Sequence, residues 1–213
     1  MELLVYEGLI DKATTMIQRI DISNGDNSPN FIGAWLLEDT KLCDSIINFF
    51  DENPGEQSIG AIGGGVDESQ KKTLDISIKP NFLEQEKYTI FNTYIKNLIT
   101  CFNDYKEQWP FLKTIKGMEI GTFNLQKYSP QGHFSAVHCE RGSAASMHRV
   151  LAFMTYLNDV EIGGETAFHH YSVNVKPQKG KTIIWPAEWT HAHSGGVVEQ
   201  GCKYIVTGWI QFS

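Results

Sequence analysis

The second half of the chain, from Met118 onward, consists of short segments in which apolar and polar residues alternate between turns. This pattern limits the fold more than any other feature, because alternation with a period of two is typical of strands that bury one face. The candidate strands are 119–128, 133–140, 148–157, 171–176, 180–185 and 203–212. Several short strands separated by regular turns predict a double-stranded β-helix, the jelly roll.

The first half of the chain carries two helical patterns instead. In 36–50 the apolar residues recur at the spacing of one helix face, and Asn53-Pro54-Gly55 ends the pattern. A second helix is predicted from about Glu84 to Glu107, before Trp109-Pro110. We expect both helices to pack on the outer face of one sheet, which gives an α+β fold that is mainly β.

A glycine-rich stretch, 58–66, lies between the two predicted helices. Its spacing fits no Gly-x-x-x-x-Gly-Lys-Ser/Thr pattern, so a phosphate-binding loop is not indicated. A mobile loop or hairpin near the mouth of the site is the better interpretation. The sequence leaves open whether residues 58–72 close over a substrate.

Length and composition favour a single domain. The chain has 213 residues, of which 41% are hydrophobic and 20% charged, as in ordinary globular proteins. We therefore predict one domain over 1–213. In this interpretation 1–117 forms mainly helical support and a loop, and 118–213 forms the jelly-roll core with the site.

Charge and cysteine content exclude some partners and compartments. The net charge of −7 argues against nucleic acid or membrane as a partner, because both attract basic patches. The four cysteines form no Cys-x-x-Cys pair, so neither a zinc knuckle nor a disulfide framework is indicated. The chain shows no signal peptide and no stretch of transmembrane length. We expect a cytoplasmic protein, and the oligomeric state stays open.

Two histidines and one glutamate carry the strongest chemical signal. His138 and Glu140 are two positions apart, so on an extended strand both side chains leave by the same face. With His193 they supply two imidazoles and one carboxylate, the facial set that suits non-haem Fe(II) enzymes that activate oxygen. Alone, such a pair is more often solvated than metal-bound. His191 is a rival third ligand, because it shares a strand face with His193.

Lys203 lies at the head of the last predicted strand, ten residues after His193. On this strand the face of Lys203 also carries Ile205, Thr207 and Trp209. A solvated face would not suit the isoleucine and the tryptophan, whereas a pocket with apolar walls and a few polar anchors would. Lys203 could there hold the distal carboxylate of a co-substrate that is chelated to the metal.

A longer series of motifs follows the same order along the chain. The motifs are Tyr128 ten residues before His138, Arg149, Tyr156-Leu-Asn-Asp159, Gly163-Gly-Glu-Thr166 with Phe168, Lys176-Pro-Gln-Lys-Gly180 before Ile183-Ile-Trp185, and the segment from His193 to Trp209. Together they resemble the prolyl 4-hydroxylase-like group of Fe(II)/2-oxoglutarate dioxygenases. The resemblance is close over 118–213 and looser before it.

The resemblance implies roles for individual residues. His138, Glu140 and His193 would bind Fe(2+), and Lys203 would bind the C5 carboxylate of 2-oxoglutarate. The neighbours of the co-substrate would be Tyr128, Tyr156, Thr207 and Trp209. O2 would be the second co-substrate, with ascorbate as an additional reductant. The family usually has Asp at the position of Glu140; the longer side chain still supplies a ligand, so a halogenase-like site is disfavoured.

The implied activity is hydroxylation of an unactivated C–H bond with release of succinate and CO2. The first candidate substrate is a prolyl residue in a peptide or protein. The alternatives are the same cofactor chemistry on a free amino acid or another small molecule, or a cupin-like metal-binding protein without 2-oxoglutarate turnover. Lys203 at its spacing speaks against the cupin, and the intact ligand set speaks against a catalytically dead binding module.

Overall fold

The computed structural model describes residues 16–23, 29–63 and 65–213. Within these residues the α-helices are α1 (Lys41–Glu52) and α2 (Thr89–Gln108). The strands are β1 (Ile17–Ile20), β2 (Gly33–Leu37), β3 (Ser58–Ile59), β4 (Lys71–Lys72), β5 (Leu74–Ile78), β6 (Met118–Ile120), β7 (Phe123–Tyr128), β8 (His133–His138), β9 (Arg149–Tyr156), β10 (Ile162–Gly163), β11 (Thr166–Phe168), β12 (Val173–Val175), β13 (Lys181–Pro186), β14 (His193–Gly195), β15 (Val198–Gln200) and β16 (Lys203–Phe212).

The strands form two principal antiparallel sheets that face each other. The larger sheet has the order β1-β2-β13-β9-β16-β7-β5-β3, and β6 also pairs with β16. The smaller sheet has the order β12-β11-β14-β8-β4, and β10 pairs separately with β15. Between the two sheets lies an apolar cluster to which both contribute, including Tyr156 and Ile205 from the larger sheet and Phe168 and Val175 from the smaller. The fold is a jelly roll, as the strand pattern predicts.

Both helices cover the outer face of the larger sheet. α2 turns one side of its surface inward, where Phe91 packs against Phe123 with the ring centroids 5.7 Å apart. α1 contributes Phe50, whose ring lies 5.9 Å from the ring of Tyr204. The apolar cluster under the helices therefore takes the alternate residues of β16, such as Val206, that face away from the other sheet.

Three predicted element boundaries are wrong for identifiable reasons. The strand predicted over 133–140 ends at His138, because its partner β14 begins with His193 directly opposite. The strand predicted over 119–128 breaks at Gly121, and Thr122 after it is exposed. The helix predicted over 36–50 begins only at Lys41, because the residues before it pair with β13 as part of β2.

The second helix and the N-terminal half also differ from expectation. α2 starts five residues later than predicted, because Gln85 has an extended backbone between two 3-10 turns, Pro80–Glu84 and Glu86–Tyr88. The described residues of the N-terminal half contribute five strands as well as helices, and β2 and β5 are internal to the larger sheet. In the described part of the chain, no helix has the length and apolar character needed to cross a membrane.

Candidate metal centre

A cavity of about 710 Å³ opens between the two sheets. Its floor is formed by β5, β7 and β16 of the larger sheet, and its opposite wall by β4, β8 and β14 of the smaller one. The glycine-rich stretch lies at its mouth, where Ile59 and Ile62 line it. His138, Glu140, His193 and Lys203 all line this one cavity.

The structure brings the three predicted ligands together. Antiparallel pairing of β8 with β14 places His193 directly opposite His138, with the ring centroids 4.4 Å apart. Glu140 lies beyond the end of β8, yet its Oε1 is 3.7 Å from Nε2 of His138 and 3.4 Å from Nε2 of His193. One donor atom from each side chain lies within 4.8 Å of the others, so the three can hold one metal ion.

Backbone contacts fix which nitrogen of each histidine faces the cluster. Nδ1 of His138 donates a hydrogen bond to the carbonyl oxygen of Ala136 at 2.9 Å, and Nδ1 of His193 donates one to the carbonyl of His191 at 2.9 Å. Carbonyl oxygens only accept, so Nδ1 carries a proton in each ring and Nε2 is the nitrogen that faces the carboxylate. Burial and the nearby His193 lower the pKa of His138, which favours the neutral imidazole that binds metals.

Glu140 is held as a carboxylate by its neighbours. Burial raises its pKa, but the hydrogen bond and charge of His193, the charge of His138 and the indole of Trp209 outweigh burial and lower the pKa to about 2. Nε1 of Trp209 donates to Oε2 at 2.6 Å, which leaves Oε1 for the histidines. The donors and their protonation states therefore fit a divalent transition metal.

Arg149 covers the outer side of this carboxylate. Its guanidinium lies 3.5 Å from the ring centroid of Trp209, and its Nη1 donates to the backbone carbonyl of Glu140 at 3.0 Å. The side chain is half-buried and lines the cavity. Arg141 instead pairs with Glu188 at 2.6 Å. Of these two arginines, the structure therefore places Arg149 at the cavity.

His191, the rival third ligand, points elsewhere. Its ring is buried, its Nε2 contacts the carbonyl oxygen of Asn30 at 2.9 Å, and its Nδ1 contacts Oγ1 of Thr190 at 3.0 Å. It does not line the cavity. Its backbone carbonyl still matters, because it fixes the ring of His193.

Lys203 is a buried cation deeper in the cavity. Only 1% of its surface is exposed, its Nζ donates to the carbonyl of Gly164 at 3.0 Å, and it lies 4.1 Å from the ring centroid of Tyr128. Burial lowers its pKa to about 7, although the charge of Glu165 opposes the shift. An anionic ligand beside it would relieve the burial of this charge.

The other residues predicted around the co-substrate differ in their access to the cavity. Tyr128 and Thr207 line it, but the hydroxyl of Thr207 donates to the carbonyl of Phe153 at 2.9 Å. Tyr156 does not line it, because its hydroxyl meets Oγ1 of Thr166 at 2.6 Å and Thr166 stands in between. This geometry therefore favours an indirect contact of Tyr156 with the co-substrate, through Thr166, over a direct one.

The cavity floor also carries a polar network that was not predicted from the sequence. Asp75 accepts hydrogen bonds from Lys71 at 2.6 Å, Thr73 at 2.7 Å and Gln126 at 2.9 Å, and Gln126 accepts one from Tyr128 at 2.9 Å. The signal was the alternation in Leu74-Asp-Ile-Ser-Ile78, which marks a strand with Asp75 and Ser77 on one face.

A jelly roll whose inner cavity gathers two imidazoles and a carboxylate defines the class: a metal-binding fold of the non-haem oxygenase type. The comparisons agree with this class. The 2OG-Fe(II) oxygenase superfamily matches residues 123–211. The chain is 24% identical over 106 residues to prolyl 4-hydroxylase subunit alpha-2 of Gallus gallus, covering 46% of this chain and 20% of the relative.

Two further matches extend over nearly the whole chain. Prolyl 4-hydroxylase 2 of Arabidopsis thaliana is 24% identical, covering 95% of this chain and 74% of the relative. A structure from Trichoplax adhaerens, described as a prolyl hydroxylase in complex with a hypoxia inducible factor oxygen degradation domain peptide fragment, has a TM-score of 0.63 and 13% identity. It covers 93% of this chain and 84% of that one, and it supports the fold.

The chain therefore resembles the 2OG-Fe(II) oxygenases and, among them, the prolyl 4-hydroxylases. It spans only a fifth of the length of the Gallus relative, but about three quarters of that of the Arabidopsis relative. This resemblance implies Fe(II), 2-oxoglutarate and O2 as the metal and co-substrates. The donor set described above fits the metal.

Proposed function

We propose that this protein is an Fe(II)- and 2-oxoglutarate-dependent dioxygenase that hydroxylates a prolyl residue in a peptide or protein. The observation that carries the proposal is the joint position of the three donors and Lys203 in one cavity. A metal-binding jelly roll without 2-oxoglutarate turnover would have no use for a fully buried lysine beside its metal site.

Each end of the cavity has its own task in this proposal. His138, Glu140 and His193 would hold the Fe(II), and the indole of Trp209 would keep one oxygen of the carboxylate turned towards it. Lys203 would bind the C5 carboxylate of 2-oxoglutarate with a charged hydrogen bond. Tyr128 would pack along the same co-substrate, because its ring lies against the lysine.

The chemistry follows from the bound groups. Fe(II), 2-oxoglutarate and O2 together supply the oxidising power: 2-oxoglutarate loses CO2 and becomes succinate, which takes one oxygen atom, and the other atom converts a substrate C–H into C–OH. The protein's own part is to orient the reactants and to exclude water. The apolar rings of Phe134 and Trp209 line the cavity and serve the second task. We add ascorbate as a reductant for the assay.

The substrate proposal rests on the relatives and on the cavity. Prolyl hydroxylases recur among the matches, and one of the similar structures carries a peptide. The cavity mouth is bordered by exposed apolar residues such as Ile59 and Val137, with relative exposures of 50% and 60%. A proline-rich chain could pack on such a rim.

We also propose that residues 1–213 act as one domain and work in the cytoplasm.

One observation favours a second candidate, the same chemistry on a free amino acid. Arg149 presents a half-buried guanidinium to the cavity, where it could bind a substrate carboxylate. In a peptide substrate, the same group would donate to a backbone carbonyl. The two candidates therefore differ in whether the ligand of Arg149 is charged.

The test is a turnover assay with Fe(II), 2-oxoglutarate, ascorbate and a panel of proline-containing peptides and free amino acids. We expect release of succinate with peptides, and a gain of one oxygen on proline by mass spectrometry. Turnover of free amino acids with none on any peptide would reject the peptide assignment and retain the oxygenase. The Lys203→Ala variant is the negative control, and Lys176→Ala, at an exposed lysine, is its matched counterpart.

A further inference from the structure

The wall of the cavity that contains the glycine-rich stretch rests on a buried ion pair outside the metal centre. We define the glycine wall as Ser58–Gly63, which comprises β3 and the residues after it. The pair is Lys71 and Asp75, with Nζ and Oδ2 2.6 Å apart and both residues buried. Lys71 belongs to β4 of the smaller sheet and Asp75 to β5 of the larger, so the pair joins the two sheets.

The carboxylate of Asp75 is fully engaged. It accepts from Lys71, from Thr73 and from Gln126, as described above. A buried charge without its partners would be costly, so the three donors hold one another in place through this carboxylate. The pair is therefore a structural part of the cavity, and its charges are engaged by protein partners.

The glycine wall packs on this pair at backbone distance. The amide of Gly60 donates to the carbonyl of Thr73 at 2.9 Å, and Nζ of Lys71 lies 3.5 Å from the carbonyl oxygen of Ala61. A Cβ atom on Gly60 would lie 2.0 Å from Oγ1 of Thr73 and 3.2 Å from Nζ of Lys71. A side chain at this position would push the wall away, so the close contact needs a glycine.

We infer that the Lys71–Asp75 pair positions the glycine wall and thereby shapes the part of the cavity that receives the substrate. Ile59, Ala61 and Ile62 of the wall line the cavity, and Phe134 and Val137 lie on the side of the smaller sheet. Moving the wall would change this apolar surface, and none of the three metal ligands belongs to the wall. The substrate half of the inference rests on the proposed function; the positioning half does not.

The first test measures the wall itself by hydrogen exchange, without substrate. In Lys71→Met we expect the amides of Gly60 and Ile62 to exchange about tenfold faster than in the parent, while amides of β7 stay unchanged. Lys72→Met, at the exposed neighbouring lysine, is the matched control and should behave like the parent. Equal exchange in the two variants would overturn the inference.

A second variant approaches the same contact from the other side. Gly60→Ala keeps both residues of the ion pair but inserts a methyl group that collides with Thr73, so it should also raise exchange in the wall. Gly55→Ala is its control, because a Cβ at Gly55 meets no atom within 4 Å. This variant keeps the inference testable if Lys71→Met does not fold.

The third measurement separates the substrate from the co-substrate. Both test variants should raise the KM for the peptide about tenfold, with kcat and the Kd for 2-oxoglutarate within about twofold of the parent. Faster exchange with an unchanged peptide KM would overturn the substrate half. If the parent turns over no peptide, the proposed function fails, whereas the exchange result still decides whether the pair positions the wall.

Discussion

The two ends of the cavity are prepared for their ligands in opposite ways. At the metal end, Glu140 has a pKa of about 2 because His193, His138 and Trp209 stabilise its charge against burial. At the other end Lys203 has a pKa of about 7, because burial outweighs the charge of Glu165. The first end is already in its ligating state, whereas the second end gains its full charge only when an anion arrives.

This difference shows how each end of the cavity would contribute to the free energy of binding its ligand. The donors of the metal end are fixed by backbone carbonyls and an indole. The site is therefore preorganised, and its side chains lose little conformational entropy when a metal binds. At the other end, Nζ of Lys203 donates its hydrogen bond to a neutral group, the backbone carbonyl of Gly164. A carboxylate there would form an ion pair with the ammonium group of Lys203 and stabilise its charged form.

The largest expected effect is at the metal end. His193→Ala removes one of three ligands, and we expect affinity for Mn(II) or Fe(II) to fall more than about 100-fold, beyond the loss typical of a supporting residue. Titration calorimetry under anaerobic conditions measures it. His148→Ala, at an exposed histidine, is the control. Unchanged metal affinity in His193→Ala would remove the basis of the comparison.

The next effect is at the opposite end. Lys203→Ala removes a charged hydrogen bond worth roughly 1.5–3 kcal/mol, so binding of 2-oxoglutarate should weaken about 10- to 150-fold. The metal should remain bound with its parent affinity. Calorimetry on the metal-loaded protein separates the two quantities. Equal affinity for 2-oxoglutarate in variant and parent would show that the buried lysine has no part in binding it.

The two ends also differ in how much the sequence could predict. β16 matches its prediction residue for residue, because its alternation shows both the apolar face on the helices and the cavity face with Lys203 and Trp209. β5 was not predicted, because it follows a glycine-rich stretch and carries Asp75 on a buried face. The carboxylate of Asp75 also accepts a hydrogen bond from Gln126, 51 positions away, and no local sequence pattern predicts that contact.

Local signals likewise found the ligands but not their support. The spacing of His138 and Glu140 predicted that they act together, although the reason given was wrong, since Glu140 lies beyond the strand. The contact of Trp209 with Glu140 joins residues 69 positions apart and appears only once β16 lies beside the cavity. The structure thus adds the contacts that set protonation states.

A smaller effect should come from the support of the metal end. Trp209→Phe keeps an aromatic ring over Arg149 but removes the donor to Oε2 of Glu140. We expect metal affinity to fall about tenfold, the lower limit for a lost supporting contact, because the carboxylate can then rotate. Metal titration of variant and parent at equal pH measures it. A change below twofold would mean that the histidines alone fix the carboxylate.

The smallest effect is a pH dependence that belongs to the lysine end alone. The pKa of Lys203 is about 7 in the unliganded protein, and a bound carboxylate raises it, so binding takes up a proton above pH 7. The affinity for 2-oxoglutarate should therefore fall roughly fivefold between pH 7 and pH 8, in proportion to the charged fraction of the lysine. Glu140, with a pKa of about 2, and the neutral His138 contribute no such slope in this range.

Calorimetry in buffers of different ionisation enthalpy measures both the slope and the proton uptake. Lys203→Met should bind weakly with a flat profile; a flat profile in the parent would mean that the lysine stays charged and that both ends are prepared in the same way.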